Sequence, residues 1–274
     1  MSDTFIPNPG LTAPPGVAVL LVASEPGRAL LDVVEPLVRA GAAAIVVVDD
    51  GSSQARKWVL NRIGMEPTVH LLRHARPQGR GAALKTGMQY IAEHLGHYTG
   101  LVTTTADARY GAMDVVRLMR ALHGAPKLVI LGAPETSRGL TSIRSVQNRL
   151  LGLAFRVMTR ISLTDVQTGL RAIPTSLLPS LVKVRGERYE YELAMLLHIA
   201  RSGHPMAEQA VFGTMEHEGV DRGLRSFADC FSMFRALMRS APEELDAVEL
   251  GLDPTGQASS HEHGSGARNT HQAR

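Results

Sequence analysis

Gly100-Leu101-Val102-Thr103-Thr104-Thr105-Ala106-Asp107-Ala108-Arg109-Tyr110 is the stretch on which the reading of this chain turns. It begins apolar, becomes hydroxylated and ends on one carboxylate, the pattern of a buried β-strand that delivers a single acid to the edge of a sheet where ligands bind. On its N-terminal side, residues 17–22 form a continuous aliphatic run, as expected of a strand covered on both faces. Residues 27–39 follow with helical spacing at Leu30, Leu31, Val34, Leu37 and Val38, and Pro36 is expected to bend that helix. Residues 44–48 read as a second strand running into Asp49-Asp50-Gly51-Ser52-Ser53. The segment from Trp58 to Ile63 reads as a helix with Trp58 in the core, and residues 69–72 as a third strand. Gly79-Arg80-Gly81 opens a helix carrying Ala83, Leu84, Met88 and Ile91 on one side. Beyond the quoted stretch, a helix from about Asp114 to His123 and a strand at residues 128–131 continue the alternation.

Strand–helix units repeated in this way imply an α/β fold, a mostly parallel sheet with helices on both faces. In such a sheet ligands sit beyond the carboxyl ends of the strands. Asp49 and Asp50 close one strand and Asp107 another, so the three acids are expected to converge on one crevice. After about residue 133 the pattern changes. Residues 145–160 form an amphipathic helix, apolar at Leu150, Leu151, Leu153, Ala154, Val157 and Met158 and basic at Arg149, Arg156 and Arg160. Such a helix packs on the sheet or lies on a membrane surface. Residues 165–174 read as a polar loop, 191–201 as a helix and 227–238 as a last amphipathic helix. The domain is placed at 16–240, between a flexible segment at 1–15 and a disordered tail at 241–274, where no large apolar side chain follows Leu252.

Composition bounds the function. With 274 residues, 44% hydrophobic and 20% charged, the chain can bury a full core. Cys230 is the single cysteine, so no intrachain disulfide forms and a reducing, cytoplasmic setting is expected. No apolar run reaches the roughly 18 residues a membrane-spanning helix needs. The net charge of +3 comes with 4% aromatic residues and without a basic stripe, which argues against nucleic acid; a phosphate-bearing ligand or an anionic membrane surface accounts for the bias.

Three motifs carry a resemblance. Val46-Val47-Val48-Asp49-Asp50-Gly51-Ser52-Ser53, then Gln78-Gly79-Arg80-Gly81-Ala82-Ala83-Leu84-Lys85-Thr86-Gly87, then Asp165-Val166-Gln167-Thr168-Gly169-Leu170-Arg171, in that order, resemble the family 2 glycosyltransferases, in particular the bacterial relatives of dolichyl-phosphate mannose synthase. The resemblance runs from about Val17 to Met238 and takes in Gly186-Glu187-Arg188-Tyr189-Glu190-Tyr191-Glu192. It implies a GT-A, Rossmann-like fold that moves a sugar from a nucleotide-sugar to an acceptor, often a polyprenyl phosphate. By motif match Asp50 would bind base or ribose while Val48 lines the base pocket. Gly79 and Gly81 would let backbone N–H groups approach a ligand, and Arg80 and Lys85 would face the diphosphate. Arg144 and Arg222 would also lie near the donor phosphates. Asp165 and Arg171 would serve catalysis, the first by orienting or deprotonating the acceptor and the second by holding its phosphate.

This chain departs from the family at its acid motif. Thr105-Ala106-Asp107 stands where the family has Asp-Xaa-Asp, so Asp107 alone would hold Mg²⁺ or Mn²⁺, more weakly, and Arg109 is expected to take over part of the cation's charge. Val22-Ala23-Ser24-Glu25 replaces the usual Pro-Ala-Tyr-Asn, Pro77 stands where Asn is common, and residues 218–226 match a basic closing loop only loosely. Read from the residues alone, other roles stand beside these. Asp107 also suits a turn cap, Gly79-Arg80-Gly81 a plain loop-to-helix turn, Asp165 with Arg171 a structural pair, and Arg222 with Arg225 a solvated one. Three functions are therefore carried forward: an inverting glycosyltransferase, a catalytically degenerate nucleotide-binding or scaffolding protein of the same fold, and a sugar nucleotidyltransferase. A lipid acceptor would be reached by peripheral membrane contact through residues 145–160 or 227–238.

Overall fold

The computed structural model describes residues 12–134 and 143–213, with the side chains of all of these except 134 and 143–147. The expected helix at 227–238, the tail at 241–274, and the side chains of Arg144 and Arg222 lie outside the described residues. No helix among the described residues is long and apolar enough to cross a membrane.

Strands β1 (Val17–Ala23), β2 (Ile45–Asp49), β3 (Val69–Arg73), β4 (Gly100–Thr105) and β5 (Val129–Pro134) form where the apolar runs predict them. Between them lie α1 (Ala29–Arg39), α2 (Lys57–Ile63), α3 (Arg80–His94) and α4 (Ala112–Gly124). Then come α5 (Ile143–Thr159), β6 (Arg171–Pro174), a short α6 (Leu178–Leu181), α7 (Glu190–Arg201) and β7 (Met206–Val211). All seven strands join one sheet in the order β3-β2-β1-β4-β6-β5-β7. Every pairing is parallel except those of β6, which runs antiparallel to both β4 and β5.

The sheet is apolar on both faces because helices cover both. Ala18, Leu20 and Val22 of β1 point into one core with Val46 and Val48 of β2 and the inner faces of α3, α5 and α7. Val17, Val19 and Leu21 point into the other, with Ile45, Val47 and α1, α2 and α4. The side-chain period of two thus sends alternate residues of one unbroken aliphatic run to opposite helical layers.

Two expectations are corrected, and one strand had none. Trp58 is 54% exposed rather than core. The stripe that α2 buries is Val59, Leu60 and Ile63, and Trp58 lies off it. Part of the expected loop at 165–174 is a strand, β6, fully buried although it opens on an arginine and closes on a proline. Strand β7 had no counterpart in the sequence reading, since only Val211 of its six residues is buried and Glu208 and Gln209 interrupt any apolar run. Of the segment expected to be flexible at 1–15, residues 12–15 are described. Ala13 is buried and donates its N–H to the Ala40 carbonyl, and Arg120 donates to the Thr12 carbonyl at 2.7 Å.

Candidate active site

Strand β1 lies between β2 and β4, with Ala23 opposite Asp49 and Val22 opposite Thr105. The segments leaving β2 and β4 therefore emerge side by side at the carboxyl edge of the sheet. Strand order reverses here, β1 being followed by β2 on one side and flanked by β4 on the other, which is where doubly wound sheets open a crevice.

The two acids at the end of β2 both accept backbone N–H groups. Asp49 accepts the Ser52 N–H at 3.0 Å and closes the turn. Buried Asp50 accepts the Gln78 N–H at 2.8 Å and the Gly79 N–H at 2.9 Å, and pairs with His74 Nδ1 at 2.8 Å. His74 Nε2 meets the Thr86 hydroxyl at 3.0 Å. Burial alone would raise the Asp50 pKa, but the two amides and His74 outweigh it and hold the carboxyl below its ordinary range. Asp50 is thus a strap tying the end of β2 to the turn before α3. Val48, expected to line a base pocket, is fully buried in the core under α3.

The glycines opening α3 admit protein rather than ligand. A Cβ on Gly79, whose φ is +108°, would stand 2.5 Å from the Glu187 carbonyl, and one on Gly81 would stand 2.6 Å from Tyr191 Cβ. The Ala82 N–H donates to the Glu187 carbonyl at 2.9 Å. The 187–191 segment therefore sits on the helix start where a phosphate was expected. Lys85 turns the same way, 3.5 Å from the Glu187 carboxylate and 5.1 Å over the Tyr191 ring, rather than toward a diphosphate.

Arg80 reaches the crevice. Its Nε lies 3.1 Å from Glu192 Oε2, and Glu192 Oε1 also accepts from Arg171 Nη1 at 3.3 Å. A Cβ on Gly169 would stand 2.7 Å from the Thr105 methyl and 3.2 Å from Arg80 Nη2, so the bare backbone at 169 lets the guanidinium lie against the end of β4. Burial would lower the Arg80 pKa, but Glu192 first, then Tyr189 and Asp107, keep it raised. Asp107 itself is more than half exposed. Thr105 Oγ1 and the Arg109 N–H donate to its Oδ1, and the Arg109 guanidinium stands 3.6 Å from Oδ2. Burial pushes its pKa up, yet the Thr105 hydrogen bond and Arg109 outweigh that and hold it low. Between them Ala108 adopts φ +56°, a left-handed conformation costly for a residue with a side chain.

Arg171, read as catalytic, is 1% exposed on β6 and lies behind Glu192 in the wall of the crevice. Burial and the Arg80 charge depress its pKa, with Glu192 and Asp165 opposing. Asp165 is half-buried and accepts the Gln167 N–H at 2.8 Å, an Asx turn. The result is a line of alternating charge across the carboxyl edge of β4: Asp165, Arg171, Glu192, Arg80, Asp107, Arg109. Its three acids and three guanidiniums balance, so it has no net charge to offer a diphosphate.

No family model matches the chain. It is 26% identical over 171 residues to an undecaprenyl-phosphate mannosyltransferase of Micrococcus luteus, covering 60% of this chain and 69% of that protein. The structure superposes on glucosyl-3-phosphoglycerate synthase of Mycobacterium tuberculosis, solved with Mn²⁺, uridine diphosphate and phosphoglyceric acid. That match has a TM-score of 0.62 at 18% identity over 83% of this chain and 79% of the other. It superposes also on a mannosyltransferase of Pyrobaculum calidifontis with GDP-Man and Mn²⁺, with a TM-score of 0.56 at 17% identity over 85% and 66%. The fold is the GT-A glycosyltransferase fold.

Both of these solved neighbours hold Mn²⁺, and the residues after β4 can be tested against such a cation. Among the described residues no three His, Cys, Asp or Glu side chains gather as a cage. A hard cation bound with a nucleotide draws on phosphate and water oxygens and asks for one or two carboxylates. The chemistry of Asp107, an exposed carboxylate held ionised, is compatible with such a cation.

Two acids escaped the sequence reading. Glu208 of β7 accepts from the Thr164 N–H at 2.6 Å and hydroxyl at 2.8 Å, which holds the loop bearing Asp165. Asp114 accepts the Phe212 and Gly213 N–H groups at 3.1 and 3.0 Å, and so fixes the end of β7 beside Arg109 and Tyr110. No local signal in the sequence marks either, because each acts on backbone of a distant element.

Proposed function

We propose that this protein transfers a sugar from a nucleotide-sugar to a phosphate-bearing acceptor, with a polyprenyl phosphate as first candidate. The observation that carries the reading is the Asp107–Arg80–Glu192 junction at the carboxyl edge of β4, where Gly169 leaves the backbone bare. The names of the relatives support it: one acts with undecaprenyl phosphate, and another is solved with phosphoglyceric acid. In this reading an acceptor phosphate oxygen attacks the anomeric carbon. A new C–O bond forms as the bond to the nucleoside diphosphate breaks, with inversion. An acceptor already anionic needs no general base, so Asp165 positions it. Asp107 would hold Mg²⁺ or Mn²⁺, which supplies charge to the leaving diphosphate. Arg80, fixed by Glu192, adds a preorganised cation beside it, and Arg144 and Arg222 would complete the donor contacts. Membership of family 2 and cytoplasmic residence go with this proposal.

The test begins with a thermal-shift screen of nucleotides and nucleotide-sugars with and without Mn²⁺, since a ligand at about 100 times its Kd stabilises by roughly 2.7 kcal/mol. Stabilising donors are then incubated, radiolabelled, with undecaprenyl phosphate and with phosphoglycerate. Labelled product is expected; no stabilisation by any nucleotide overturns the proposal. Thr105 in place of an acid, and an α3 start already filled by its own chain, favour a second reading as a nucleotide-binding protein without turnover. Stabilisation with no product from any donor would select it.

A further inference from the structure

The outer face of α5 is built like a membrane-surface helix. Leu151 and Phe155 anchor its inner side in the core, at 6% and 0% exposure. Leu150, Leu153 and Val157, spaced three and four residues apart on the opposite side, are 63%, 59% and 54% exposed. Arg149, Arg156 and Arg160 are exposed around them. Residues 143–160 contain no aspartate or glutamate, in a chain whose 29 lysines and arginines are otherwise nearly matched by 26 acids. Tyr189, 38% exposed at the start of α7, shares with Leu151 the wall of a recess that reaches Gln167 and Glu192. Asn148 donates to the Thr164 carbonyl at 3.1 Å, so α5 is joined to the loop that carries Asp165.

We propose that this face of α5 rests on an anionic lipid bilayer, with Leu150, Leu153 and Val157 entering the acyl boundary and the arginines meeting lipid phosphates. Charge complementarity selects this occupant. A second copy of the chain packed face to face would bring the arginines of both helices together around one apolar seam. Nucleic acid would leave the central aliphatic side chains without a partner. The bilayer satisfies both kinds of group at once, and the interfacial tyrosine suits the headgroup level. The proposal rests on the transferase reading only in making that lipid layer the source of the acceptor, delivered to the Asp165 side of the crevice.

The test is flotation of the full chain with vesicles, which reads binding and needs no turnover. Vesicles of phosphatidylcholine alone are compared with vesicles containing about one-third phosphatidylglycerol, at low and high salt. Binding to the anionic vesicles is expected, weakened by salt. The triple variant Arg149→Gln/Arg156→Gln/Arg160→Gln should bind roughly a hundredfold more weakly, from about 1 kcal/mol per arginine near an anionic surface. Leu150→Gln/Leu153→Gln/Val157→Gln should lose binding while keeping its circular dichroism and melting temperature, because the three side chains are exposed. Failure of the unaltered chain to float with anionic vesicles overturns the proposal. So does flotation that survives the apolar triple variant, or a dimer that this variant dissolves. A chain that turns over a soluble acceptor yet never floats would sink this inference alone and leave the transferase intact.

Discussion

Glu192 is the residue on which the site's electrostatics depend. Two guanidiniums share its carboxylate, and one of them, Arg171, is 1% exposed. Replacing one partner of a buried ion pair leaves the other charge uncompensated, at a cost of about 3 to 5 kcal/mol. Glu192→Gln should therefore lower the melting temperature by roughly 10 °C, read by calorimetry. Asp50 makes a pH prediction. Its folded pKa lies below the ordinary value of 3.8, so its stabilising contribution is complete above that pH and is lost as the pH falls through the folded value. Asp50→Asn should cost about 2 kcal/mol near neutrality, by the loss of charge-assisted hydrogen bonds. Denaturant titrations at successive pH values should show the gap between the two proteins closing below pH 4 or so; a gap that persists undiminished would contradict the strap. The motifs marked Asp50, Arg80, Asp107 and Asp165 as special. They did not show what Asp50 and Arg80 would hold, because those partners are 28 and 112 residues away along the chain.

At the scale of elements, the start of α3 is the instructive case. A glycine-rich turn opening a helix is a ready anion site when its amides face solvent. Here Asp50 takes the amides before the helix, and the Glu187 carbonyl takes that of Ala82. The glycines are required by the close approach of the 187–191 segment. Gly81→Ala would force a Cβ to within 2.6 Å of Tyr191 Cβ and 2.8 Å of the Arg188 carbonyl. Its expected cost is about 1 to 3 kcal/mol, with faster hydrogen exchange at residues 187–191 even in the absence of nucleotide. A loss of nucleotide affinity at unchanged stability would instead restore the anion-site reading. Strands β1 to β5 were legible because each is a short, locally apolar run, β4 passing into threonines toward its end. Strand β6 was not, since it opens on Arg171, and Glu192 of α7 with the Val166 carbonyl makes that arginine tolerable inside the sheet.

For the molecule as a whole, charge balance decides the expected metal behaviour. Arg109 was expected to stand in for the cation, but its guanidinium faces Asp107, and the line from Asp165 to Arg109 is already neutral. A diphosphate entering this edge still calls for positive charge, so Mn²⁺ or Mg²⁺ should strengthen its binding. Calorimetric titration of uridine and guanosine diphosphate is expected to show affinity falling at least roughly tenfold under excess chelator and returning with Mn²⁺. Thr105→Asp, which adds a second carboxylate beside Asp107, should enlarge that dependence. Equal affinity with and without the cation would return the role to Arg109.

The amino-acid sequence by itself determined the layered α/β architecture and the edge of the sheet where polar residues collect. Hydrophobic period and turn chemistry act over a few neighbours and are written locally. Only the tertiary structure decided which polar groups at that edge are already satisfied. A buried carboxylate or guanidinium must find its partner wherever the fold brings one, and that choice is made between elements far apart in the chain.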